Sequence, residues 1–434
     1  MVARELEADR GATSKSKMAT AKLVQLAQYA YRAGLPHLLA SLFFVQGLTY
    51  LSQLFIAGLM GPADFGVVRS TEVTLSIFTL IGAIGMPSIA VKSIAEINNP
   101  SLRGVLLGRL LKMAAIAGFV TSSLAAATAS LWLPDPARPY FTALVWIIGI
   151  AALSRTCINY FQGIKLFRLV SGLNVTLSIL SLVTLMTLVA RYGLRGWVAG
   201  RYAGQLLFVC GGVLMVRGSL RLTGVLPPAY AYGRLLSLGL PIAFSLLVRT
   251  ALDNAALLSL AHLKRPAAEV GQYGLSAMIV TGVLLVPASV VNLAVPRLVE
   301  RLQQSRALAW EFCLRIMRWI LPVSLLGSLV LMVTSPLLVL VFGSEYRPAV
   351  RLLRILCLSL PMRAMTILAG TMLLANDKNY VTLLGNLTLL ALASVLYASA
   401  IPAFGSSGAA WVTVVVEGGS MVFFVWASRR SVCV

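Results

Sequence analysis

The chain has 434 residues, of which 59% are hydrophobic and 12% are charged, and its mean hydropathy is +0.87. A soluble domain is about a quarter charged, so the composition predicts an all-α integral membrane protein and excludes an ordinary cytosolic enzyme. The formal net charge of +22 favours basic cytoplasmic loops and an anionic cargo. In a membrane protein, this charge does not indicate nucleic-acid binding.

The first predicted element is a polar, basic tail over residues 1–34. It lacks the short apolar core and the small-residue cleavage site of a signal peptide. We therefore expect the tail to lie in the cytoplasm, with an amphipathic interfacial helix over Thr20–Arg32.

Long apolar stretches, interrupted by glycine, proline and charge, predict about twelve transmembrane helices of roughly 20 residues each. In chain order they cover residues 37–60, 68–91, 110–133, 140–160, 169–190, 196–216, 235–262, 271–296, 315–341, 349–375, 380–400 and 408–428. With a cytoplasmic N-terminus, the inward segments hold 23 Lys and Arg and the outward segments hold 7. This asymmetry predicts a multi-pass membrane protein with both termini in the cytoplasm.

An internal repeat relates the two halves of the chain. Residues 161–197 resemble residues 374–411 at a shift of 212 to 213, and an earlier stretch of each half matches at a shift of 208 to 209. The matched pairs include Lys165 with Lys378, Gly193 with Gly405, Gly196 with Gly408, Gly66 with Gly274, and Pro87 with Pro296. These matches fall on glycine, proline and lysine rather than on the common apolar residues, which favours a true repeat.

The repeat divides the chain into two lobes of six helices each, at residues 35–216 and 234–428. A cytoplasmic linker at 217–233 joins them, and a cytoplasmic tail follows at 429–434. Because each half crosses the membrane an even number of times, the repeats are parallel. This arrangement is typical of transporters whose substrate site lies between the lobes.

The sequence offers little for catalysis or for a cofactor. It has no Gly-Lys dipeptide and hence no phosphate loop for ATP. The two histidines, His37 and His262, have no second ligand nearby, and the five cysteines lie far apart as expected of small core residues: Cys157, Cys210, Cys313, Cys357 and Cys433. We therefore expect no enzymatic activity, no metal site and no cofactor.

Five short motifs follow one another in a specific order and spacing. They are GPADFG at 61–66, GMPSIA at 85–90, VGQYG at 270–274, FGSEY at 342–346 and GSSGAA at 405–410. Together they resemble the polysaccharide (O-antigen, Wzx-like) flippases of the multidrug/oligosaccharidyl-lipid/polysaccharide exporter superfamily. The resemblance covers residues 35–428.

The resemblance implies a protein of the bacterial inner membrane that translocates an undecaprenyl-pyrophosphate-linked oligosaccharide from the cytoplasmic to the periplasmic leaflet by alternating access. Such transport serves the synthesis of lipopolysaccharide or exopolysaccharide. The implied partners are the lipid-linked oligosaccharide, membrane lipids, and the polysaccharide polymerase and glycosyltransferases. A cation-coupled multidrug exporter and a lipid II flippase of the same superfamily are alternatives. A membrane O-antigen polymerase or ligase is a further alternative, which the absence of a large periplasmic loop disfavours.

Ionisable side chains inside the predicted helices are the candidate binding site, because a charge at bilayer depth is costly unless it faces water or a partner. The candidates are Glu72, Arg155, Arg249, Asp253 and Arg363, with Arg201 close to the membrane surface. Arg69, at the outer end of its helix, either meets the head group late in transit or anchors the helix at the membrane surface. Arg249 and Asp253 are four residues apart and share one helix face. Either Arg249 binds pyrophosphate while Asp253 orients it, or the two form a structural pair.

Two further groups of residues are assigned to the transport cycle. Glu417, Asp253 and Glu72 are candidates for ion coupling, or else partners of buried arginines. Arg155 either faces the cavity or contacts a neighbouring helix. Pro87 and Pro296 are predicted to kink their helices near the cytoplasmic side, because each removes a backbone donor, and so to act as hinges.

Overall fold

The computed structural model describes residues 35–221 and 223–433, which form helices and no β-strand. The first half contains Leu35–Leu59 (α1), Pro62–Ala83 (α2), Met86–Glu96 (α3), Pro100–Trp132 (α4), Arg138–Leu144 (α5), Ile147–Gly163 (α6) and Phe167–Val216 (α7). The second half contains Tyr232–Asp253 (α8), Ala255–His262 (α9), Ala267–Gln304 (α10), Arg306–Thr334 (α11), Leu337–Phe342 (α12), Arg347–Cys357 (α13), Ser359–Ala375 (α14) and Asn379–Cys433 (α15). Short 3₁₀ turns lie at Pro228–Tyr230 and Ser344–Tyr346. The tail at 1–34, with the predicted helix at Thr20–Arg32, lies outside the described residues.

Among the described residues, 8 helices are long and apolar enough to cross a membrane. The number rises to 10 if each of two bent pairs forms one span. These pairs are α5 with α6, bent by 42°, and the segment Ser344–Cys357 with α14, bent by 45°. The all-helical membrane architecture predicted from the sequence is therefore confirmed.

The two longest helices, α7 and α15, each contain a reversal of the chain at a glycine. Gly193 has φ 57° and ψ −132°, and Gly405 has φ 60° and ψ −142°. A Cβ on Gly196 would lie 1.9 Å from the carbonyl oxygen of Leu188, so the arms on either side of Gly193 touch. The equivalent distance from Gly408 to the carbonyl oxygen of Ala400 is 2.4 Å. If the two arms of α7 and the two arms of α15 are counted as separate spans, the ten spans become twelve. The predicted count of twelve helices and the internal repeat both stay predictions.

Several predicted helices are broken in the structure. The helix predicted at 68–91 breaks at Ile84 and Gly85, which both have left-handed backbone conformations. Pro87 therefore lies in the first turn of α3 rather than in a helix interior, where its missing donor costs no hydrogen bond. The kink precedes this proline instead of being caused by it. Pro296 lies within α10, but its side chain is outside the described part of the structure.

The two halves of the chain meet most closely where α2 and α10 begin. A Cβ on Gly66 would lie 1.7 Å from the carbonyl oxygen of Ala267, and one on Gly271 would lie 1.9 Å from that of Pro62. The Tyr346 hydroxyl also donates to the carbonyl oxygen of Ala57 at 3.0 Å. We call this end of the bundle, which contains the connection between α1 and α2, the α1–α2 end. Glycine at both contact positions allows the backbones to touch there.

The opposite end of the bundle, which we call the linker end, contains the predicted linker between the halves. This segment packs on α4 instead of projecting from the protein. The Arg221 amide donates to the carbonyl oxygen of Gly104 at 3.2 Å, and the Arg109 guanidinium donates to that of Tyr230 at 2.6 Å. The linker therefore ties the start of α8 to the first half.

The described cysteines are free thiols. Cys157, Cys313 and Cys357 are buried, as expected of small core residues. Cys210 is exposed on α7, so its predicted core position is wrong. The apolar stretch around Cys210 suits a surface that faces lipid as well as it suits a core.

Candidate functional site: a charged central cavity

A cavity of about 920 Å³ lies between the two halves of the chain. Side chains from α1, α2, α7, α8, α9, α10, α14 and α15 line it, together with Leu356 near the end of α13. Its charged lining residues are Arg69, Glu72, Arg201, Arg249, Asp253, Arg363 and Glu417. Four arginines thus face three carboxylates, and the cavity carries an excess of positive charge.

The charged residues of the first half form one cluster around Glu72. Its carboxylate accepts a hydrogen bond from Gln53 Nε2 at 2.7 Å and lies 3.5 Å from Arg69 and 4.0 Å from Arg201. Two arginines therefore share one carboxylate. Gln53 Oε1, Arg69 Nε and Arg201 Nε are buried atoms without a hydrogen-bond partner in the described structure. Such orphaned polar groups are costly unless a ligand or water completes them.

The second half contributes a cluster that satisfies its own groups. Arg363 Nε lies 2.7 Å from Glu417 Oε1, and both side chains are about 15% exposed. The Thr413 hydroxyl donates to the carbonyl oxygen of Ala409 and lies 2.8 and 2.9 Å from the hydroxyls of Tyr273 and Tyr397. A hydroxyl can donate one hydrogen bond and accept two, so these three contacts use all of the hydrogen-bonding capacity of Thr413. This side of the cavity is electrically balanced.

Helix α8 places a third charged pair in the cavity. Arg249 Nε donates to Asp253 Oδ2 at 3.1 Å, and the side chains are 42% and 40% exposed. The two residues therefore share a helix face and pair, as their spacing indicates. Because both are well exposed to the cavity, the structure is compatible with a structural pair and with a ligand-binding role.

Arg155 differs from the other candidates, since it does not line this cavity. It is exposed on α6, where Arg201 of α7 exerts like-charge repulsion on it. Its neighbour Ser154 accepts a hydrogen bond from Gln205 at 2.6 Å. Within the described residues no carboxylate lies within 4.0 Å of Arg155. Of the two interpretations offered for Arg155, its absence from the lining of this cavity favours a contact with a neighbouring helix, and its role stays a prediction.

Sequence reasoning missed several uncharged lining residues. Gln46, Thr49 and Gln53 follow one another at helical spacing along α1, and all three face the cavity. A polar stripe in an otherwise apolar helix was the signal that could have identified them. The sequence shows no comparable pattern for Tyr273, Tyr397 and Thr413, because these residues come together only through hydrogen bonds between helices that are distant in the chain. Among the described residues, no group of three or more His, Cys, Asp or Glu could hold a metal ion.

An all-helical bundle in two halves around a central charged cavity is the architecture of a membrane transporter. A family model described as "Polysaccharide biosynthesis protein" matches residues 55–351. This match covers more than half of the chain, which therefore belongs to that polysaccharide biosynthesis family. A search of curated proteins finds no matching relative.

The fold is similar to those of solved transporters of the MOP superfamily. A lipid II flippase, MurJ, in an inward closed conformation is 12% identical with a TM-score of 0.73, and the match covers 90% of this chain and 87% of that one. An inward-facing multidrug resistance MATE family transporter is 12% identical with a TM-score of 0.71, covering 89% and 94%. An outward-facing MATE transporter is 15% identical with a TM-score of only 0.58, covering 92% and 95%. The protein is thus a multi-pass membrane protein of the polysaccharide biosynthesis family, and its fold is that of these solved transporters.

Proposed function

We propose that the protein translocates an undecaprenyl-pyrophosphate-linked oligosaccharide from the cytoplasmic to the periplasmic leaflet of a bacterial inner membrane. In this proposal both termini and the linker end face the cytoplasm, as the charge asymmetry predicts. The family assignment supports a role in polysaccharide biosynthesis. The cavity supports an anionic cargo, since its arginines outnumber its carboxylates.

The unbalanced charge around Glu72 is the observation that carries the proposal. Arg69 and Arg201 share this one carboxylate, and the Nε group of each lacks a hydrogen-bond partner. A guanidinium suits phosphate oxygens because its planar fork donates two parallel hydrogen bonds. A pyrophosphate placed between Arg69 and Arg201 would complete both arginines and neutralise the excess charge. Sugar hydroxyls could then donate to the orphaned Oε1 of Gln53.

The remaining pairs of the cavity fit supporting roles. Arg249 and Asp253 lie on α8, which links the two halves, and Arg249 is a second candidate for contact with the phosphate. Glu417, Asp253 and Glu72 are the candidates for ion coupling. Each of these carboxylates is paired with an arginine in this conformation. A coupling ion that binds one of them would therefore have to displace its arginine during the cycle.

Alternating access would involve the contact at the α1–α2 end. Gly66 and Gly271 close that end in this structure, while the cavity lining extends towards the linker end to Leu42 and Asn292. The greater likeness to inward-facing than to outward-facing neighbours supports the same conformation. Pro87, beside the break between α2 and α3, and Pro296 in α10 are the proposed hinges. Outward opening would separate Gly66 from Gly271.

A reconstituted assay tests the proposed cargo. The purified protein is placed in vesicles with a fluorescent undecaprenyl-pyrophosphate oligosaccharide in both leaflets, and an impermeant glycosidase is added outside. We expect cleavage of about half of the label in empty vesicles and nearly all of it in vesicles with the protein, because flipping exposes the inner pool. Arg201→Ala should slow the second phase. Cleavage equal to that of empty vesicles, together with uptake of an organic cation, would support the multidrug exporter instead.

A further inference from the structure

A second, apolar depression lies beside the charged cavity, between α4 and α8 with the break between α2 and α3 as its floor. We call it the α4–α8 groove. Its volume is about 540 Å³, and only Thr121 and Tyr232 among its lining residues carry a polar side-chain atom. Several lining side chains are exposed, including Ile116, Val120 and Phe244. The groove is therefore open to the bilayer.

The groove follows one face of α8 from the linker end towards the middle of the membrane. Its α8 residues recur every three or four positions from Tyr232 to Leu247, which corresponds to about 22 Å of helix. The hydrocarbon core of a bilayer is about 30 Å thick. Thr250, one turn beyond Leu247 on the same face, lines the charged cavity. The groove and the cavity thus follow one another along α8.

Positive charge borders the groove at both ends. At the linker end, the Arg109 guanidinium lies 4.8 Å from the ring centroid of Tyr232, and Arg234 is exposed nearby on α8. At the other end, the groove leads to the charged cavity, in which arginines outnumber carboxylates. An elongated apolar molecule with an anionic head would meet favourable charge at the surface and again at the cavity.

The floor of the groove is held in an unusual backbone conformation. Ile84 lines the groove with φ 44° and ψ 34°, a left-handed conformation that is rare for a β-branched residue. Beside it, a Cβ on Gly85 would lie 2.5 Å from the carbonyl oxygen of Gly239. This contact packs α8 closely against the break, which forms the floor of the groove in this conformation.

We propose that the α4–α8 groove binds the polyisoprenyl chain of the lipid-linked cargo while its pyrophosphate group occupies the charged cavity. This inference rests on the proposed function. The groove supplies length and apolar surface, its borders supply charge for the head group, and Thr250 marks where the two sites join. An ordinary phospholipid acyl chain is the competing occupant.

The test asks whether binding depends on the length of the lipid chain and on the free space in the groove. It uses the purified full-length protein in phosphatidylcholine nanodiscs. The probes are undecaprenyl diphosphate, geranyl diphosphate and phosphatidylglycerol. Ala117→Trp fills the groove, because Ala117 lines it on α4. Ala115→Trp is the matched control, since Ala115 is exposed on the same helix and does not line the groove. Binding is measured by photocrosslinking from benzoylphenylalanine at position 244 and by competition.

We expect undecaprenyl diphosphate to crosslink and phosphatidylglycerol to compete poorly. Ala117→Trp should weaken binding of the long chain about tenfold, the effect of about two methylene groups losing contact. It should leave geranyl diphosphate unchanged, and Ala115→Trp should resemble the wild type. Equal competition by phosphatidylglycerol, or an unaffected Ala117→Trp, would overturn the groove proposal alone. If neither diphosphate binds and Arg201→Ala changes nothing, the proposed function fails as well.

Discussion

Gly193 and Gly405 adopt nearly the same backbone conformation 212 residues apart, and each reverses the chain within a long helical segment. Both arms then pack through a second glycine three residues later, Gly196 or Gly408. The sequence matches that suggested the repeat fall on these four positions. The agreement between sequence and backbone at both sites supports a common origin for the two halves of the chain.

The positive φ at these turns makes alanine substitutions informative. Gly193→Ala should destabilise the protein by about 1–3 kcal/mol through backbone strain alone, because nothing lies within 4 Å of its Cβ position. Gly405→Ala should destabilise the protein more than Gly193→Ala does, since its Cβ would also lie 2.9 Å from Arg265 and 3.0 Å from Glu269. Thermal unfolding in detergent measures both.

Gly172→Ala is the control for these turn variants. Gly172 lies in α7 with nothing within 4 Å of its Cβ position and without a positive φ, so alanine should be neutral or stabilising by up to about 1 kcal/mol. If Gly193→Ala were as stable as Gly172→Ala, the reversal at Gly193 would not need a glycine.

The contact between α2 and α10 predicts a strong effect of a small change. Gly66→Ala places a methyl group 1.7 Å from the carbonyl oxygen of Ala267, so the α1–α2 end cannot close as it does here. We expect flipping to fall at least about tenfold. We also expect a thiol reagent to label a cysteine introduced at this end more readily than in the protein with Gly66. Gly58→Ala, whose nearest neighbour would lie 3.8 Å away, should behave as wild type. Normal flipping by Gly66→Ala would show that this contact is not a gate.

The sequence predicted the membrane class, the position of most helices and six of the cavity's seven charged residues as candidate site residues, because burial of charge leaves a clear signal in an apolar chain. It did not predict the pairing of Arg363 with Glu417, which joins residues 54 positions apart. It left two interpretations of Arg155 open, since a helical pattern does not show which neighbouring helix a given face contacts. The break at Ile84 was missed because a left-handed isoleucine contradicts local preference.

The proposed orientation can be tested with reporter fusions. Fusions at Gly218 in the linker and after Val434 should report the cytoplasm, and fusions at Pro136 and Pro266 should report the periplasm. The structure favours Gly218 over Ser237 as a linker site, because Ser237 lies inside α8 while Gly218 is exposed. A periplasmic signal from Gly218 would invert the proposed direction of transport.

The two charged pairs of the second half should respond differently to the loss of one partner. Arg363 and Glu417 are about 15% exposed, so Arg363→Ala leaves a buried carboxylate unpaired and should cost about 3–5 kcal/mol of stability. Arg249 and Asp253 are about 40% exposed, so Arg249→Ala should change the free energy of unfolding by less than about 1 kcal/mol. Thermal unfolding of both variants at equal lipid content checks this contrast.

The contrast makes Arg249 the residue at which function can be separated from folding. If Arg249 contacts the phosphate, Arg249→Lys should keep part of the flipping activity as a point charge, and Arg249→Ala should lose at least about tenfold while the protein remains folded. If Arg249 only neutralises Asp253, the double variant Arg249→Ala with Asp253→Asn should recover most of the activity. Flipping is compared at matched membrane abundance. Recovery in the double variant would exclude Arg249 as a ligand, whereas persistent loss with normal unfolding would place it beside Arg69 and Arg201 on the path of an anionic cargo.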